Sequence, residues 1–367
     1  MNPDVGLNSD IKASKKRLHL QTSLLKEKSL LSLELFDGGE LTSRRYQNVA
    51  ADISEPKIQE IHNQIKENIE FLFEIKDDVR QRKNVPALVH LGRMFVDVGL
   101  YDQAVESLQY ALRMQENSAV NFDLAKAYYF SEQFEKAVEQ LNQSPEQYAD
   151  VHFYRGLSLW KLDRYAEALK ALRQAIKINT NYAEANFYYG YVLVDSCIKK
   201  PTLPDLASPI ERLKQSERYF ETAVLHHEKL DENLVESGLQ KAQDSNFEEG
   251  LAILDQAHSK GWSETQKNWS SELFLRFMYS TGNESDVITH IIDRLSSLID
   301  KYPEYADLRH ALGSAYLIKG WYCFSKATNQ FKKALDINPD FEKSLKNTRL
   351  LQNDGRGLLI LLRAVLE

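Results

Sequence analysis

Ile58, Ile61, Ile65, Leu72, Ile75 and Val79 fall on one face of a charged stretch, a rhythm that predicts a long amphipathic helix started by Ser54 and Pro56. From Val85 onward the pattern becomes a recurring unit of two helices: a small residue where the helices cross, an alanine about a dozen residues on, and a second alanine two turns later. In Val85–Ser118 the unit reads Leu88, Leu91, Gly92, Phe95, Gly99, Tyr101, Ala104, Leu108 and Ala111. In Ala119–Tyr148 it keeps Leu124, Ala125, Tyr128, Phe134, Ala137 and Leu141, while Ser144 and Pro145 shorten the second helix. Asp150–Asn181 repeats it with Gly156, Leu159, Tyr165, Ala168, Leu172 and Ala175.

Downstream the frame continues with departures. A first helix over Ala183–Asp195 crosses at Gly190, the proline-bearing stretch Cys197–Ser208 reads as an inserted loop, and a second helix runs to Phe220–Ala223. Asp231–Gly261 restores the frame through Leu234, Gly238, Phe247, Gly250, Leu254 and Ala257, and Trp262–Tyr302 is a degenerate pair broken at Gly282–Asn283. Glu304–Asp340 again carries it, with Leu312, Gly313, Tyr316, Gly320, Phe331, Ala334 and Pro339 and about two extra residues near Trp321–Phe324. Small residues at a crossing let two helix backbones approach closely, and large ones fill the gaps between pairs.

Leu88, Leu91-Gly92, Phe95, Gly99, Tyr101, Ala104, Leu108 and Ala111 closely resemble the tetratricopeptide-repeat (TPR) signature, with Leu in place of its Trp, and the resemblance extends over residues 85 to 340. It implies an all-α fold: a right-handed TPR solenoid of about seven helical hairpins over residues 84–340, interrupted near 196–209, with helical flanks. Residues 1–83 are expected to form a helical N-terminal arm and cap, partly disordered, and 341–367 a C-terminal capping helix with an apolar tail. The Ile58–Val79 stripe reads as a cap for the open end of the solenoid or as a dimer contact. Leu18, Leu20, Leu24, Leu25, Leu31, Leu33 and Leu35 hold no single helical face and stop at Asp37-Gly38-Gly39. With the basic cluster Lys12–Arg17 they suggest a docked or disordered tail, or an arm for a partner or membrane surface. Gly357–Leu366 is too short to cross a bilayer and suits burial on the last repeat, a docking helix, or self-association.

Composition narrows the function. The 367 residues carry 46 basic and 53 acidic side chains, a net charge of −7 that draws in no nucleic-acid backbone. Cys197 and Cys323 stand far apart, which suits a reducing cytoplasmic setting and suggests neither disulfide nor zinc site. No export signal or membrane span is expected. Phosphate-loop, serine-hydrolase, zinc-protease and EF-hand motifs are absent, His226-His227 point to different helix faces, and Glu248-Glu249 sit at a helix start. The expectation is a non-enzyme without metal or cofactor.

In TPR arrays the first helix of each hairpin lines a concave surface, so the resemblance implies a partner-binding groove made of Phe122, Lys126, Tyr129, Phe130, Phe153, Tyr154, Leu157, Trp160, Phe187, Tyr188 and Tyr191, with Asp123, Lys161 and Asp195 beside them. Rigid aromatic rings supply contact area at low entropy cost. The same rings also suit packing between hairpins. The Lys, Asn and Arg set of TPR domains that clamp a chaperone's C-terminal carboxylates is mostly missing, since the first unit offers Val89, His90 and Arg93 and the second Phe122, Asp123 and Lys126. The expected role is an adaptor holding a segment of another protein, with the Cys197–Ser208 loop tuning access. A self-assembling homo-oligomeric scaffold and an auxiliary subunit of a separate enzyme are the alternatives.

Overall fold

A computed structural model describes residues 6–13, 16–26, 29–50, 52–202, 205–226, 230–258, 267–279, 285–303 and 305–366. Strands β1 (Gly6–Ala13), β2 (Lys16–Leu25), β3 (Leu30–Asp37) and β4 (Glu40–Asn48) come first. Helices α1 (Glu55–Gln81), α2 (Val85–Asp97), α3 (Tyr101–Met114), α4 (Ser118–Phe130), α5 (Phe134–Asn142), α6 (Ala149–Lys161), α7 (Tyr165–Ile178) and α8 (Ala183–Lys199) follow. The chain continues through α9 (Pro209–His226), α10 (Glu232–Gln243), α11 (Phe247–His258), α12 (Trp269–Tyr279), α13 (Ser285–Lys301), α14 (Ala306–Ile337) and α15 (Glu342–Leu366). These form two compact units, one of residues 1–70 and 98–262, the other of 71–97 and 263–367. Leu203-Pro204, His227, Gly261-Trp262, Gly282-Asn283 and Glu304, which figure in the sequence pattern, lie outside the described residues.

In the first unit, the arm expected to be helical or partly disordered is instead an antiparallel sheet in the order β1-β2-β3-β4. The leucines that fail a helical wheel satisfy a period of two: Leu18, Leu20 and Leu24 on β2 face the same side as Leu31, Leu33 and Leu35 on β3, with Leu20 opposite Leu35 and Leu24 opposite Leu31. Asp37-Gly38-Gly39-Glu40 closes the β3–β4 hairpin with Gly38 at φ 60° and Gly39 at φ 94°, left-handed positions that suit glycine. The early part of α1 lies on this leucine face, Ile58 and Ile61 packing with Leu24 and Leu31. His62, 1% exposed, stands 2.8 Å from both the Thr22 and Ser9 hydroxyls. Burial and the nearby Lys66 charge hold its pKa below the ordinary histidine value. At the far side of the sheet β4 meets the start of α3, where a Cβ on Gly99 would collide with the Ser43 hydroxyl.

The helix pairs α4/α5, α6/α7 and α10/α11 turn by one device. Glu132, Asp163 and Ser245 adopt φ of 60°, 58° and 68°. The next residue then donates its N–H five residues back: Gln133 to the Tyr128 carbonyl (2.8 Å), Arg164 to Leu159 (2.9 Å) and Asn246 to Lys241 (2.9 Å). Phe134, Tyr165 and Phe247 then open the second helix, the aromatic position of the repeat frame. At the crossings Gly156 lies under Leu172, Gly190 under Phe220, and Gly238 against Gly250. Helix α5 spans 9 residues, as Ser144-Pro145 required. Helix α8 runs on to Lys199, so Cys197 is a buried helical residue and the inserted segment starts after it. Arg212 of α9, 1% exposed, holds the end of α8 by donating to Ser196 Oγ (2.8 Å) and the carbonyls of Lys200 (3.2 Å) and Pro201 (2.9 Å).

In the second unit α2 packs on α12: the His90 ring stacks on Phe274 at 4.3 Å and its Nδ1 lies 2.9 Å from Ser271 Oγ. Asp97 accepts the backbone and side-chain N–H of Asn268, both at 2.8 Å. Glu272 is buried between Lys267 and Arg276, and although burial alone would raise its pKa, the two cations bring it to about 2. The first repeat frame is thus divided, α2 belonging to this unit and α3 to the other. The last frame also differs from expectation, because Glu304–Asp340 makes no hairpin and α14 runs unbroken through Gly313 and Gly320. The two extra residues put Ala327 and Phe331 out of register for a turn at Gly320, and nothing lies within 4 Å of a Cβ placed there, so no close crossing forms. Helix α14 pairs with α15 instead.

Candidate partner-binding face

Helices α4, α6 and α8 each turn one side toward a continuous ladder of rings. Tyr101 stacks on Phe130 (5.8 Å between centroids), and Tyr129 meets Phe130 (5.4 Å) and Tyr154 (5.5 Å). Phe122 meets Tyr154 at 5.9 Å. Phe153 then links Tyr154 (5.3 Å) to Tyr188 (5.9 Å), and Trp160 reaches Tyr188 (6.2 Å) and Tyr191 (5.5 Å). Edge-on and offset contacts of this kind hold rings in fixed orientations.

The sequence-derived residues divide by exposure. Phe153, Leu157, Phe187 and Tyr191 are buried and belong to the packing between helix pairs. Phe122, Lys126, Tyr129, Tyr154, Trp160 and Tyr188 are half-buried, and Phe130 is exposed at 37%. The outward surface of the ladder is therefore narrower than the full set of eleven side chains, and it carries two cations. Lys126 Nζ lies 5.7 Å from both the Phe122 and Tyr154 ring centres, and Lys161 Nζ lies 4.2 Å from that of Trp160.

One end of the ladder is braced by a carboxylate. Asp195 Oδ2 accepts the Trp160 indole N–H and the Tyr165 hydroxyl, each at 2.7 Å, which fixes the Trp160 ring. Burial pushes the hydroxyl pKa values of Tyr129, Tyr154 and Tyr188 above the ordinary tyrosine value, and each phenol is neutral at physiological pH.

Sequence reasoning missed the partner of α8. Helix α11 packs against α8, and α10 packs against α9. His258 stacks on Phe187 (4.7 Å) and meets Tyr188 edge-on (4.9 Å), and Asp255 hydrogen-bonds Tyr191. Within the repeat frame His258 falls just after Ala257 with no signal of its own, and only the packing identifies it. Among the described residues no cluster of His, Cys, Asp or Glu is arranged to hold a metal ion, and no helix is long and apolar enough to cross a membrane.

One tetratricopeptide-repeat profile matches residues 95–157 and a second matches 149–182. No curated protein matches the chain by sequence. Among solved structures the chain is similar to MamA, at 20% identity and a TM-score of 0.36, over 48% of this chain and 96% of that one. It is similar to MamA residues 41 to the end from Desulfovibrio magneticus RS-1, at 15% identity and a TM-score of 0.38, over 48% and 94%. It is also similar to YrrB, described as a TPR protein with an unusual peptide-binding site, at 18% identity and a TM-score of 0.36, over 50% and 90%.

Proposed function

The chain is a tetratricopeptide-repeat protein, and from that premise we propose that it is an adaptor that holds a segment of another protein against the ring ladder of α4, α6 and α8, without turnover. The observation that carries this reading is the combination of pre-fixed rings and two outward cations. Phe130, Tyr129, Tyr154, Trp160 and Tyr188 keep part of their surface open, and Lys126 and Lys161 flank them. Rings already locked by their neighbours lose little entropy on binding, so contact area converts efficiently into affinity. The chemistry favours a segment with apolar or aromatic anchors and an acidic side chain near each lysine.

The test is capture of partners from native lysate by the wild-type chain and by a Phe122→Ala, Phe130→Ala, Lys126→Glu variant, each shown to be folded by circular dichroism. These positions lie on the open side of the ladder, so the fold is retained. Two truncated anchors together weaken binding by about 3 kcal/mol or more, roughly a hundredfold in Kd. Equal capture by both proteins would show that the rings serve packing alone.

A further inference from the structure

Helix α15 is amphipathic in an unusual sense. Toward its neighbours it buries Ser344, Thr348 and Gly355 along with Leu362 and Leu366, while Leu350, Ile360 and Leu361 are 50%, 69% and 48% exposed. The turn that leads into it is equally apolar on the outside, with Ile337 86% and Phe341 43% exposed. Isolated apolar side chains on a surface are ordinary, but here they recur along one outward strip. On the same strip lie Lys346, Arg349, Arg356 and Arg363, spaced at helical intervals and all exposed.

The charge here opposes that of the whole chain. Residues 326–363 carry eight lysines and arginines against four aspartates and glutamates, whereas the complete sequence has a net charge of −7. A local cationic field on an acidic protein turns this face toward a negative surface, while the net negative charge of the chain opposes approach by its other faces. Between α14 and α15 a slot of about 270 Å³ opens beside the strip, walled by Trp321, Phe324, Leu351 and Leu359 with Arg356 at the side. Trp321 and Phe324 stack at 6.4 Å and 9°, one helical turn apart. Tryptophan beside aliphatic side chains and arginine is the composition that suits the boundary between lipid headgroups and acyl chains.

We propose that the α14–α15 face is a docking surface for an anionic lipid bilayer. Its cations meet the phosphate and carboxylate groups, and Ile337, Leu350, Ile360 and Leu361 enter the headgroup boundary. The binding is peripheral, since no described helix can span a bilayer. The inference uses no residue of the ring ladder.

The experiment is co-sedimentation of the full chain with phosphatidylcholine vesicles, with and without phosphatidylserine, at low and high salt. The wild type is expected to pellet only with the phosphatidylserine vesicles, and less so at high salt. A Lys346→Glu, Arg349→Glu, Arg356→Glu variant is expected to lose at least about a hundredfold in partitioning, from about fivefold for each of the three cations removed at the surface. A Leu350→Ser, Ile360→Ser, Leu361→Ser variant is expected to lose binding that salt does not abolish. All six positions are exposed, and circular dichroism is the check that each variant is folded. Absence of wild-type binding, or equal binding by the charge-reversed protein, overturns the proposal. So does a vesicle-independent dimer that these substitutions dissolve, which would make the strip an interface between copies.

Discussion

Gly250→Ala and Gly320→Ala are the same substitution with opposite expected outcomes, and the pair tests both the repeat crossing and its loss. A Cβ on Gly250 would stand 2.7 Å from the Gly238 carbonyl oxygen and 3.0 Å from the Ala242 nitrogen. Both are backbone atoms of α10, so relief requires α10 and α11 to separate, which places the overpacking penalty near the upper end of its range, about 3 kcal/mol. Alanine's helix propensity returns about 1 kcal/mol. The net expectation is destabilisation by about 2 kcal/mol. At Gly320 a Cβ meets nothing within 4 Å and the residue is helical, so the propensity term stands alone and Gly320→Ala stabilises by about 1 kcal/mol. The assay is urea unfolding followed by circular dichroism, with amide hydrogen exchange to assign the effect to α10–α11 or to α14. A neutral or stabilising Gly250→Ala would refute the backbone contact. A destabilising Gly320→Ala would mean that Gly320 adopts a turn conformation alanine disfavours, and that α14 is a hairpin after all.

The pH dependence of the second unit follows from His90, whose folded pKa is lowered from 6.5 to about 3 by burial first and Arg93 second. Its stabilising share is intact above 6.5, and as pH falls toward 3 the unfolded state takes the proton first, withdrawing about 1.4 kcal/mol per pH unit. His90→Gln is expected to flatten that slope in urea titrations across the acid range. Glu272→Gln leaves Lys267 and Arg276 buried without their carboxylate and is expected to destabilise the chain by about 3–5 kcal/mol, read as a fall in Tm. Gly39→Ala places a side chain at φ 94° and is expected to weaken the β3–β4 hairpin by about 1–2 kcal/mol, seen as faster amide exchange in β3 and β4.

The helix pairs were legible because their signals are local. The aromatic after each left-handed turn residue and the glycine at each crossing are written in the sequence, as are the short α5 and the long α1. The sheet is written in a period of two rather than in a helical one: Leu18, Leu20, Thr22 and Leu24 take every second position of β2, and Asp37-Gly38-Gly39 is a hairpin turn rather than a terminus. Other features depend on packing that no local pattern encodes. Phe153 and Trp160 stand seven residues apart on one side of α6, yet only the set of helices packed around α6 decides that the first is buried and the second half-open. The continuity of α14 is of this kind as well, because Leu312, Gly313, Tyr316 and Gly320 match the frame while the register beyond them removes the reason to turn.

The contact of His258 and Asp255 with α8 sets a molecular ruler. With α11 seated on Phe187 and Tyr191, the ladder ends at α8 and is crossed by three helices, α4, α6 and α8. At roughly 10 Å between neighbouring helix axes, an extended chain crossing all three needs only about six residues. A longer ligand must leave the surface or displace α11. On the proposed function, recognition by this face would be short-range in sequence, selecting motifs rather than folded domains, and the length that binds would report whether α11 has moved.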